Sequence, residues 1–130
     1  MTTIEERRLN FLNEKLGYFI EAPSRRAYNQ ETESCMYWDK STDNKCLIGM
    51  EIPEEKYNEA YEGESLTFEN SLRKNSVFDL LPVEVQELSK DFLFQCQRLH
   101  DGDVYWTEEG LSNRGIGKLN FIKEEYCNVN

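Results

Sequence analysis

The feature that most constrains this chain is an apolar stripe in its first segment. Thr2 or Thr3 can cap a helix there, because a threonine hydroxyl accepts from the free amides of the first turn. Pro23 ends it, since the residue before a proline resists helical backbone angles. The prediction is a helix over 3–20, whose buried stripe has the three- and four-residue spacing of a helix face: Leu9, Leu12, Leu16 and Phe19.

Two later segments repeat the same pattern. The first, 82–100, begins at Pro82 and stops at Asp101-Gly102-Asp103. The second, 112–126, can be capped by Ser112. Gly115 and Gly117 weaken its start, and so predict a close approach to another element. The two stripes are Val85, Leu88, Phe92, Cys96 and Leu99 in the first, and Ile116, Leu119, Ile122 and Tyr126 in the second.

The segment between the first two helices favours a small ribbon. Residues 35–38 are short, apolar and aromatic, 39–44 have turn chemistry, and 46–49 can return as a second strand. A short helix over 53–61 and one turn over 76–81 follow. We therefore predict an α+β fold: a mainly helical single domain over 1–130, with three long helices and one antiparallel two-stranded ribbon at 35–49.

Length and hydrophobic pattern restrict the class of protein. The chain has 130 residues, of which 38% are hydrophobic, enough for one core without disulfide or metal support. No apolar run approaches the roughly 20 residues that span a bilayer, and the first residues lack the apolar segment of a signal peptide. The expectation is a cytoplasmic protein without a membrane partner.

The charge is acidic and uneven. Asp and Glu total 25 against 15 Lys and Arg, a net charge of −10, and residues 31–70 alone hold eleven acids and three bases. Such a field repels phosphate backbones and disfavours direct nucleic-acid binding. Either this is a solvated face, or it docks on the basic surface of a partner protein. Its candidate partner-binding residues are Glu51, Glu54, Glu55, Glu59 and Glu62.

The cysteines leave several alternatives open. The four thiols are expected to be reduced, but a Cys35–Cys46 bond across the ribbon is one alternative. A Cys3His zinc site is another, since Cys96 and His100 stand four residues apart on one helix face. Ordinary buried thiols are a third, and no cofactor is assigned. The zinc ligands under that alternative are Cys35, Cys46, Cys96 and His100.

Catalytic signatures are scarce, and the sequence leans away from an enzyme. His100 is the single histidine, and no glycine-rich phosphate loop or nucleophile elbow is present. Neighbouring side chains on a helix point about 100° apart, which predicts that His100 and Asp101 diverge.

A basic and aromatic group near residue 25 supports a second function. Arginines bind phosphate or carboxylate with two hydrogen bonds, and aromatic rings can stack a base. The group could therefore hold a small anion such as a nucleotide or cyclic nucleotide. The alternative is an ion pair between its arginines and the acidic segment 51–69. Its candidate ligand-binding residues are Arg25, Arg26, Tyr28 and Trp38.

Short motifs give the chain a resemblance. They are SRRAYN at 24–29, C-x-Y at 35–37, C-x-I-G at 46–49, LP at 81–82, LHD at 99–101, Trp106 and GLS at 110–112. The pattern resembles a group of short uncharacterised proteins of bacteriophages and bacterial mobile elements, over residues 11–127. The resemblance implies a setting and assigns no residue a role.

Three functions follow from these observations. The leading hypothesis is a non-enzymatic acidic interaction protein, of the phage or mobile-element setting that the resemblance implies, that binds and modulates a host protein. The alternatives are a small-ligand binding protein and a small zinc-binding domain.

Overall fold

The computed structural model describes residues 2–29, 34–69, 71, 72 and 74–129, without the side chains of 29 and 34. Helix α1 spans Ile4–Glu21. The hydroxyl of Thr3 accepts from the amide of Glu6 at 3.1 Å and caps it. Ala22, before Pro23, is extended and ends it. The predicted helix over 3–20 is confirmed.

The predicted helix over 82–100 is broken in two. Helix α2 covers only Val83–Gln86, and helix α3 covers Lys90–Asp101. Between them Ser89 has φ 90° and ψ 146°, a backbone conformation that non-glycine residues rarely adopt. Its hydroxyl accepts from the amide of Phe92 at 3.2 Å, so Ser89 begins a new helix in a new direction.

Helix α4 spans Asn113–Cys127 and begins as predicted. The hydroxyl of Ser112 accepts from the amide of Gly115 at 3.1 Å. A Cβ on Gly115 would collide with the carbonyl oxygen of Tyr105, whereas one on Gly117 would meet nothing within 4 Å. The close approach is therefore real at Gly115, and the prediction was wrong for Gly117.

Three antiparallel hairpins are present in the described residues. One of them, formed by Trp38–Asp39 and Asn44–Lys45, lies inside the predicted ribbon at 35–49. Its strands are not the predicted ones, because Cys35 pairs with Tyr28 in a separate hairpin and residues 46–49 contain no strand. The other two hairpins were not predicted. Their strands are β1 Tyr28–Asn29, β2 Ser34–Cys35, β3 Trp38–Asp39, β4 Asn44–Lys45, β5 Trp106–Thr107 and β6 Gly110–Leu111.

The acidic segment does not form the predicted helix over 53–61. Two 3-10 turns, Glu54–Lys56 and Glu59–Tyr61, replace it. Tyr57 and Asn58 between them are extended, and the Asn58 side chain accepts from the amide of Ala60 at 2.8 Å, which restarts the chain as a separate turn. The predicted turn over 76–81 is present as a 3-10 turn, Val77–Leu80.

One hydrophobic core joins these elements. Among its fully buried members are Leu12 of α1, Leu47 after β4, Phe92 of α3 and Ile122 of α4. The mainly helical α+β fold class is confirmed. In the part of the chain that the structure describes, no helix has the length and apolar content needed to cross a membrane.

Candidate functional site

A cluster of polar side chains converges at the C-terminal end of α3. Asp101, the last residue of α3, is its centre. The Nε2 amide of Gln97, one turn earlier, donates to both Asp101 carboxylate oxygens at 2.8 and 2.9 Å. Nδ1 of His100 lies 3.0 Å from Asp101 Oδ1. The prediction that His100 and Asp101 diverge is therefore wrong: the two side chains meet at the last residue of the helix.

His100 is completely buried. Burial lowers the pKa of the imidazole more than the neighbouring Asp101 carboxylate raises it, so the ring is neutral at neutral pH. Because a carboxylate only accepts, the imidazole proton resides on Nδ1 and points at Asp101. The other ring nitrogen of His100, Nε2, is also buried, and the described residues offer it no hydrogen-bond partner.

Cys35 of β2 completes the cluster. One ligand atom each from Cys35, His100 and Asp101 lies within 4.8 Å of the other two. Burial, followed by the charge of Asp101, raises the pKa of the Cys35 thiol to about 12. The thiol is therefore protonated at neutral pH, and the trio as it stands does not supply the thiolate that nucleophilic catalysis needs.

Arg26 contacts the cluster through the backbone of α3 and through Cys35. Its guanidinium is buried and donates to the carbonyls of His100 at 2.9 Å and Asp101 at 3.2 Å. These carbonyls lack helical partners at the end of α3, so Arg26 caps that helix. Its Nη2 also donates to Cys35 Sγ at 3.6 Å, and Nη1 lies 3.7 Å from Asp103 Oδ1.

A cavity of about 580 Å³ opens beside this cluster. Cys35, Gln97 and Asp101 form its polar wall. The aromatic rings of Phe94 and Tyr105 belong to the same lining. The remaining lining residues are Tyr37, Gly63, Glu64, Ser65, Leu66, Arg98, Gly102 and Val104.

The structure brings together only part of the Cys3His set. Cys35 and His100 meet, with Asp101 as the third donor. Cys46 borders the cluster without joining the trio: its sulfur accepts from the side-chain amide of Gln97 at 3.4 Å and from the backbone amide of Gly49 at 3.1 Å. The pKa of the buried Cys96 thiol is raised by burial and by Cys127, which lies near it. The four cysteines are free thiols.

The candidate ligand-binding residues are separated. Arg26 and Tyr28 both line a second cavity of about 680 Å³, together with the acidic residues Asp103 and Glu108. Arg25 instead donates to the Tyr18 carbonyl at 3.0 Å, at the end of α1.

Trp38 lies in the β3–β4 hairpin, where its Nε1 donates to Asp43 at 3.0 Å. Neither arginine pairs with the acidic segment 51–69 in the contacts described: Arg25 pairs with Glu21 and Arg26 with Asp103.

Three of the five candidate partner-binding glutamates have partners inside the molecule. Glu51 lies 2.9 Å from Lys15 Nζ, and Glu54 lies 3.5 Å from Lys45 Nζ. The Glu62 carboxylate accepts from three donors, which fixes the acidic segment to the hairpin: the amides of Tyr37 and Trp38 at 2.8 and 3.1 Å, and the hydroxyl of Tyr57 at 2.6 Å.

Glu55 and Glu59 are exposed. They are the two of the five that remain on the surface without a salt bridge among the described contacts.

The sequence reasoning missed Gln97 and Asp101 as site residues. Their spacing of four on a helix is the signal that could have revealed them, because residues at that spacing face each other. The approach of Cys35 has no local signal, since it depends on how the first hairpin packs on α3. Comparison with protein-family models, with curated proteins and with solved structures finds no match for this chain.

Proposed function

We propose that this chain is a non-enzymatic protein that binds a partner protein with a basic surface through the segment 54–72. Its support is an exposed aromatic ring in the most acidic part of the chain. Phe68 is 50% exposed and Leu72 is 92% exposed, whereas Leu66 of the same segment is buried at 1%. Leu66 anchors the segment, and Phe68 presents its ring to the outside.

The sequence segment that carries Phe68 is negatively charged. Glu55, Glu59 and Glu69 are exposed in the same segment. An exposed aromatic anchor within charged surroundings is the arrangement in which apolar burial supplies affinity and complementary charge supplies orientation and association rate. Of the five glutamates first considered, only Glu55 and Glu59 are assigned to this surface, because Glu51, Glu54 and Glu62 have partners inside the molecule.

The anionic-ligand alternative has weaker support. The guanidinium of Arg26 already has carbonyl, thiol and carboxylate partners. Asp103 and Glu108 in the same cavity repel a phosphate.

The setting is part of the same proposal. The four free thiols are typical of a reducing compartment, which supports a cytoplasmic location. The motif resemblance supports a bacteriophage or mobile-element origin, and hence a bacterial host protein as the partner.

A selection from displayed random peptides tests the chemistry of the partner. The bait is the immobilised full chain, and we expect the retained peptides to be enriched in Lys and Arg together with apolar residues. A segment variant combining Glu55→Gln, Glu59→Gln and Phe68→Ala should lose them.

A matched control carries the same three types of change on the exposed side of α4: Glu124→Gln, Glu125→Gln and Phe121→Ala. This control variant should retain the basic peptides. Peptides without a basic bias, or equal retention by the segment variant, would contradict the proposal.

A further inference from the structure

We propose that Cys35, His100 and Asp101 form a binding site for a zinc-type divalent transition metal, with one coordination position open to the cavity of about 580 Å³. The three proposed ligands lie outside the proposed partner-binding segment 54–72, although residues 63–66 of that segment line the same cavity.

The donor set has the chemistry of such a metal. Thiolate, imidazole nitrogen and carboxylate oxygen are the three ligand types that zinc accepts in proteins. In a tetrahedral zinc site the ligand atoms lie about 3.3 to 3.7 Å apart. Here the three atoms lie within 4.8 Å of one another, so a movement of about 1 Å closes the site.

Neighbouring groups prepare two of the ligands. Gln97 donates to the Asp101 carboxylate at 2.8 and 2.9 Å and orients it. Burial of His100 holds its ring beside Asp101, with Nδ1 3.0 Å from Asp101 Oδ1. Such outer contacts typically change metal affinity by about 10- to 100-fold.

The local charge balances when the metal is bound. A dication with one thiolate and one carboxylate has no net charge, so the Arg26 guanidinium does not face an added positive charge. Arg26 Nη2, 3.6 Å from Cys35 Sγ, is placed to donate to the bound thiolate. Metal binding releases the thiol proton of Cys35 into solvent as the metal–sulfur bond forms, without any redox change. His100 binds through Nδ1, the nitrogen 3.0 Å from Asp101 Oδ1, so its ring proton moves from Nδ1 to Nε2 and the ring stays neutral.

The fourth position faces the cavity. Cys35 and Asp101 both belong to the cavity lining, whereas His100 lies fully buried behind them. Three protein ligands with one open position are the pattern of metal sites that bind water or a further ligand, and four protein ligands are the pattern of purely structural sites.

Cobalt binding to the full chain tests this proposal. The protein is purified with a reductant and stripped of metal, and Co²⁺ is added while the near-ultraviolet thiolate-to-cobalt absorption is recorded. We expect one Co²⁺ per chain, displaced by Zn²⁺. Cys35→Ser should abolish the band, and Asp101→Asn should weaken binding at least about tenfold.

Cys127→Ser is the control, because its thiol lies outside the cluster, and it should keep the band. Circular dichroism checks that each variant is folded. If Cys35→Ser does not fold, the Co²⁺ affinity of Asp101→Asn tests the proposal instead, because Asp101 is partly exposed and its replacement should disturb folding less. Absence of the band in the unaltered chain, its survival in Cys35→Ser, or unchanged affinity in Asp101→Asn would overturn the proposal.

Discussion

Arg26 connects the first hairpin to the end of α3 through its guanidinium group. It sits between the rings of Tyr28 and Trp106, whose centroids lie 5.4 and 5.2 Å from its guanidinium carbon. Its Nε and Nη2 donate hydrogen bonds to the last two carbonyls of α3, those of His100 and Asp101. The adjacent Arg25 instead packs on Tyr18 and pairs with Glu21 at the surface.

Replacing these two arginines should give very different results. Arg26→Ala leaves buried carbonyls without donors, and we expect it to lower the free energy of unfolding by about 3 kcal/mol. Arg25→Ala should cost about 1 kcal/mol or less, because its ion pair is exposed. Urea unfolding measures both values. An equal decrease in the free energy of unfolding for both variants would show that Arg26 does not cap α3.

Single residues also explain why part of the site escaped sequence reasoning. The sequence analysis selected Arg25 and Arg26 together, but no feature of the neighbouring sequence indicates that Arg26 is buried and that Arg25 lies at the surface. Glu62 was correctly placed in an acidic segment, but its inward orientation depends on the amides of Tyr37 and Trp38, which come from a distant part of the chain.

At the scale of elements, α1 and α4 could be predicted from the sequence because in each a capping residue precedes an apolar stripe with helical spacing. The break before α3 did not follow. Val85, Leu88 and Phe92 continue the helical spacing across Ser89, so periodicity alone shows no interruption. The two unpredicted hairpins have strands of two residues each, too short for an alternating pattern to show.

Ser89 offers a test of that break. Its φ of 90° favours glycine, and its hydroxyl caps α3. Ser89→Ala should lower the free energy of unfolding by about 1 kcal/mol, through loss of the cap. Ser89→Gly also loses the cap but relieves the backbone strain, so it should lie close to the unaltered protein. Thermal and urea unfolding would contradict this if glycine proved as costly as alanine.

At the scale of the whole molecule, the excess of acid is only partly compensated internally. Lys15 and Lys45 neutralise Glu51 and Glu54, and Glu62 serves as an anchor. The net charge of −10 was evident from composition, but which carboxylates reach the surface depends on the fold. The sequence likewise does not show that Leu66 is buried and Phe68 is exposed, because this also depends on the fold.

The most direct test of the proposed partner surface is quantitative capture from a bacterial lysate on three immobilised forms of the chain. These are the unaltered protein, the segment variant and the control variant, each at about 0.1 M and 1 M salt, where the screening length falls from about 10 to 3 Å. We expect the unaltered and control forms to enrich the same basic protein at low salt. The segment variant, or high salt, should remove it; retention by the segment variant or at high salt would contradict the account.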